Sequence, residues 1–175
     1  MQFLNRPSLY SDVTFREGFA LLEKYELIFD AWCFSSQLSE LYDLACAFPN
    51  TTIVLDHMAT PLAGLGVHSG VTEYNGKQVE ILEQWRKDMA RIAAECPNVY
   101  VKVGAGAFPH TGIGFDKRDK PPTSVEVAEA LSEVYLWTIE TFGCDRCMFE
   151  GVSKRNLCIF CPRLAAHAPC VHVDE

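Results

Sequence analysis

The chain has no basic run anywhere in its 175 residues. Fifteen Lys and Arg stand against 23 Asp and Glu, for a formal net charge of -8. A nucleic acid or an anionic membrane surface would be repelled, so neither is expected as a partner. No apolar run approaches the roughly 20 residues that a bilayer-spanning helix needs. The opening residues, MQFLNRPSLYSDV, lack the basic-then-apolar order of a secretion signal. A soluble, cytoplasmic protein is the expectation. No Gly-Lys-Ser/Thr follows Gly104 and Gly106, so these glycines read as a tight strand exit rather than a phosphate cradle.

Cysteine, by contrast, is plentiful. Of eight cysteines, Cys144, Cys147, Cys158, Cys161 and Cys170 crowd the carboxyl terminus. Without a secretion signal, disulfides are not the first reading. Cys144, Cys147, Cys158 and Cys161 have the form of a four-thiolate zinc site, although the spacer between the two pairs is shorter than the usual ~15–20 residues. Cys147 also reads as a small apolar filler on a strand. A zinc-held interaction module using these four cysteines is the rival to the enzyme reading developed below.

Residues 51–66, TTIVLDHMATPLAGLG, organise the rest. β-Branched residues in a short apolar run predict a strand over 52–56 that ends on His57 and enters a glycine-rich loop. Strict alternation would place His57 on the same side as Ile53 and Leu55. The carboxyl end of a buried strand is where α/β proteins put their chemistry, and an imidazole there can ligate a metal or move a proton near neutral pH. A histidine that only hydrogen-bonds a loop carbonyl is the structural alternative.

Strands are also predicted over 26–32, 99–103 and 146–150. Helices are predicted from Ser11 or Asp12, from Ser35 or Ser36, over about 79–95, and behind the capping box formed by Thr123 and Glu126. Long loops cover 58–78 and the stretch after 103. The alternation of helix and strand predicts a parallel sheet with helical crossovers, either an open doubly wound sheet or part of a (β/α)8 barrel. The helix faces read as plain core. Lys102, within a strand, reads as structural.

FDAW at 29–32, Gln37-Leu38, FPNTTIVLDH at 48–57, CPNVYVKVGAG at 96–106, GIGFDKRDKPPTS at 112–124 and ETFGCDRCMFE at 140–150 occur in order. Together they resemble the amidohydrolase-related (amidohydrolase 2) family of TIM-barrel hydrolases, which includes lactonases. The resemblance covers about residues 10–150. It implies an α/β fold, a partial TIM (β/α)8 barrel of about four parallel strands with crossover helices, matching the carboxyl-terminal half of a complete barrel. Residues 1–150 would be this domain. Residues 151–175 lack the family pattern and any clear period, and are expected to form a divergent, poorly packed tail that holds no metal, as an out-of-frame or retained-intron segment would.

The resemblance also implies a site at the carboxyl ends of the strands. His57 matches the family's sixth-strand histidine, as a catalytic residue and as a ligand for a divalent metal such as zinc or manganese. Asp30 and Gln37 are the accompanying catalytic candidates, and Asp116 a further oxygen donor. The family's His-x-His pair is missing, and Phe149-Glu150 is followed by Gly151-Val152-Ser153-Lys154 where the family continues Ser-Asn/Asp-Phe-Pro, so the acid or amide of that motif is absent. The implied function is hydrolysis of a lactone, amide or related carboxyl derivative, a small-molecule substrate, with weak or no activity from this chain alone. A non-catalytic half-barrel that pairs with another chain is the other reading. Exposed sheet edges are expected to favour a homo-oligomer.

Overall fold

A computed structural model describes residues 9–151. Four strands form one sheet: β1 (Phe29–Ala31), β2 (Ile53–Leu55), β3 (Val99–Val103) and β4 (Cys147–Phe149). Four helices alternate with them: α1 (Val13–Lys24), α2 (Leu38–Ala47), α3 (Gln78–Glu95) and α4 (Ser124–Phe142). The sheet order is β1-β2-β3-β4 and every pairing is parallel. That order decides between the two predicted architectures. A doubly wound sheet reverses strand order at a switch point. Here each strand is laid beside the last in one direction, so right-handed crossovers carry the intervening helices to a single face. This is a segment of a (β/α)8 barrel.

The two faces differ in chemistry. Ala31, Ile53, Leu55, Val99, Val101 and Val103 join Leu41, Trp85, Met89, Ile92 and Leu131 of the helices in one buried cluster. Strand side chains alternate, so Asp30, Val54, Asp56, Tyr100, Lys102 and Met148 fall on the opposite, open face. In a closed barrel that face is the lumen.

Local chemistry sets the helix ends. Asp12 caps α1, its carboxylate accepting from the Phe15 amide at 2.8 Å. The predicted box at Thr123 and Glu126 is present, with the Thr123 amide donating to Glu126 Oε2 at 2.8 Å. Three hydrogen bonds from the Asn98 amide, to the carbonyls of Ala45, Phe48 and Thr51, tie the start of β3 to the α2–β2 turn. The strands are shorter than the sequence predicts. Residues 26–28 precede β1, and Asp56 already belongs to a 3-10 turn, Asp56–Ala59. No helix among the described residues is long and apolar enough to cross a membrane. The expectation for residues 152–175, with Cys158, Cys161 and Cys170, lies outside the described residues.

Candidate active site

The carboxyl ends of the strands gather five ionisable groups on the open face. Lys102, near the carboxyl end of β3, donates to Asp30 Oδ1 at 2.9 Å and lies 2.8 Å from Asp56 Oδ1. The register explains this: Lys102 lies one row beyond the Val54–Tyr100 pair, level with Asp56 and diagonal to Asp30. The ammonium is held charged, its pKa raised chiefly by the hydrogen bond to Asp56, against a smaller opposing effect of burial.

Just beyond, His57 Nδ1 pairs with Glu150 Oε1. Both side chains are largely covered, at 14% and 12% exposure. Their strands are not neighbours, because β3 lies between them. The contact is possible because β3 is followed by Gly104, which is buried. A Cβ at that position would meet Glu150 Cγ and come within 2.5 Å of its carbonyl oxygen. Glu150 leans over a gap that only glycine leaves open. The Phe108 ring closes against the imidazole edge-on, at 5.1 Å between centroids. A carboxylate can only accept, so paired with an ionised Glu150 the imidazole would carry its proton on Nδ1.

The alternation expected at His57 does not hold. His57, Met58, Ala59 and Thr60 all have positive φ, at 55°, 53°, 53° and 23°. This left-handed turn reverses the side-chain order. Met58 is the fully buried residue of the core cluster, while His57 faces Glu150. Glu150, one residue past β4, supplies a carboxylate to His57 that the sequence reading did not single out.

The other sequence candidates are placed as follows. Asp30 is 61% exposed and bound to Lys102 rather than to His57. Gln37 uses its side-chain oxygen to accept from the Phe34 amide at 3.1 Å, closing the turn before α2. Asp116 is exposed in a 3-10 turn, Phe115–Lys117. Cys147 packs against the core, where burial pushes its thiol up to about 11, and Cys144 is exposed. Among the described residues no group of three or more His, Cys, Asp or Glu could hold a metal ion.

A sequential parallel sheet with its polar groups gathered at the carboxyl ends of the strands is the arrangement of a (β/α)8-barrel segment. Comparison with known proteins gives the family. The Amidohydrolase family profile matches residues 3–151, and the chain belongs to the amidohydrolase family. An uncharacterised protein, y4mH, of Sinorhizobium fredii is 29% identical over 151 residues, covering 85% of this chain and 41% of that protein. Two crystal structures of an amidohydrolase from Burkholderia multivorans each superpose with a TM-score of 0.62. One, with bound HEPES, is 18% identical and covers 88% of this chain and 49% of its own. The other, with bound zinc, is 19% identical and covers 95% and 53%. At these identities the structures establish a shared fold. The chain spans about half the length of these relatives or less.

Proposed function

We propose that this chain supplies the carboxyl-terminal half of a hydrolase site acting on a lactone, amide or related carboxyl derivative. Support comes from the family and, above all, from the pairing of His57 with Glu150 at the carboxyl ends of β2 and β4. In this reading His57 Nε2 takes the proton of the attacking water and returns it to the leaving oxygen or nitrogen. Glu150 accepts from Nδ1–H, fixes the tautomer and offsets the imidazolium charge as it forms. Lys102, Asp30 and Asp56 give the wall beside it a fixed charge pattern.

The zinc bound in the Burkholderia multivorans structure raises the question of a divalent metal here. His57 is the family ligand this chain retains, and its Nδ1 is already engaged. The described residues do not by themselves fit a zinc or manganese site, so no step here runs through a metal. Further ligands would have to come from the remaining wall of the barrel. For the same reason the 175-residue chain on its own is expected to turn over weakly or not at all.

A second reading, a half-barrel that pairs with another chain, draws support from the sheet edges. Leu27, Ile28 and Trp32 are exposed around β1, and Met148 and Phe149 on β4. A second copy of the chain would cover both edges. Light scattering on the purified chain tests pairing. Turnover of a panel of simple lactones, esters and amides, with and without added zinc or manganese, by the chain completed with a relative's amino-terminal half, tests the hydrolase reading. Hydrolysis that survives intact in His57→Ala would refute the assignment of His57.

A further inference from the structure

We propose that Trp85 is a positioning residue for His57, acting through the left-handed turn that presents the imidazole to Glu150. The inference rests on the reading of His57 as the acid–base group. The starting observation is the turn itself: four consecutive non-glycine residues, 57–60, with positive φ. Each such residue crowds its Cβ against the following carbonyl oxygen, so the conformation persists only where its surroundings impose it.

Three contacts impose it. The Met58 side chain is fully buried in the helix-side core. The Trp85 indole Nε1–H, from the fully buried face of α3, donates to the Met58 carbonyl at 2.8 Å. The Ser35 amide donates to the Thr60 carbonyl at 3.3 Å. Among the described residues Trp85 is thus the single side chain that holds the turn's backbone by a hydrogen bond, from the far side of the sheet. If the strand simply continued, His57 would share the helix-side orientation of Leu55, away from Glu150. The indole therefore selects the conformation in which His57 and Glu150 meet, and by linkage their pairing must favour the indole bond in return.

The test is NMR of the full 175-residue chain labelled with 15N-histidine, with His57 assigned from His57→Gln. Trp85→Phe removes the donor and keeps a ring. Its His57 ring signals should move to those of Glu150→Gln, whereas Trp137→Phe, which removes the neighbouring indole 5.0 Å away, should leave them unchanged. Wild-type His57 signals in a folded Trp85→Phe protein would overturn the proposal. If Trp85→Phe does not fold, the reciprocal reading decides. Glu150→Gln should speed exchange of the Trp85 indole proton with solvent, and an unchanged rate would overturn the proposal. Neither readout depends on turnover, so a barrel completed with a relative's amino-terminal half that proved inactive, beside the predicted signals, would fault the hydrolase reading and leave the positioning role standing.

Discussion

Replacing Lys102 by Met would break the ion cluster of the open face, and the structure sets how the cost divides. Asp30 is 61% exposed, Asp56 17% and Lys102 23%. The Lys102–Asp30 contact is therefore close to a surface ion pair, worth at most about 1 kcal/mol. The Lys102–Asp56 contact lies in a covered site, where a hydrogen bond to a charged group is worth about 1.5–3 kcal/mol. Lys102→Met should cost about 2–3 kcal/mol in all. Asp56→Asn should account for most of that and Asp30→Asn for little. Urea denaturation followed by far-UV circular dichroism gives the ranking. The sign with pH follows from the raised pKa of Lys102. This contribution is complete below the unfolded lysine value of about 10.4 and is lost as pH rises through the higher folded value. The wild type should therefore lose more stability than Lys102→Met on raising the pH past that range. An Asp30→Asn variant destabilised as much as Asp56→Asn would refute the reasoning, because it would mean that exposure does not set the worth of these contacts.

Three further outcomes are expected. Asn98→Ala should lower the unfolding free energy by about 1–3 kcal/mol, read in the same urea assay, because the carbonyls of Ala45, Phe48 and Thr51 lose their shared donor. The Glu126 carboxyl is held down to about 2, first by the Thr123 amide and then by Arg118. Stability from this cap should be full above the unfolded value of about 4.3 and fade as pH falls towards 2, and Glu126→Gln should remove that dependence from acid-titration curves. Gly104→Ala should displace Glu150, since the added methyl occupies the same space, and should change the His57 ring signals in NMR as Glu150→Gln does.

Much of the fold was legible because its signals are local. The Thr123–Glu126 box, the Asp12 cap, the apolar face of α3 and the short β-branched runs each depend on residues a few positions apart. Strand order then followed from the structure rather than from the pattern, because alternation alone fits both an open sheet and a barrel segment. At the site, His57 was legible as a strand-end histidine but its orientation was not. Left-handed turns usually announce themselves with glycine, and residues 57–60 contain none. Glu150 was missed because its partner is 93 residues away and the intervening strand stands between them. Lys102 did carry a signal: in Val99–Val103 the pattern VYVKV puts the lysine on the face opposite the valines, with the polar groups rather than the core. Asp30 and Gln37, chosen for their place at strand and loop ends, turned out to bind Lys102 and the Phe34 amide.

The measurement that bears most directly on the account is turnover of the lactone, ester and amide panel by a barrel completed with the amino-terminal half of a relative, comparing the wild-type segment with His57→Ala and Glu150→Gln. A positioned acid–base group contributes roughly 10²–10⁴-fold, so His57→Ala should fall by about that factor and Glu150→Gln by a smaller one. Turnover unchanged in both variants would contradict the claim that the His57–Glu150 pair carries the chemistry.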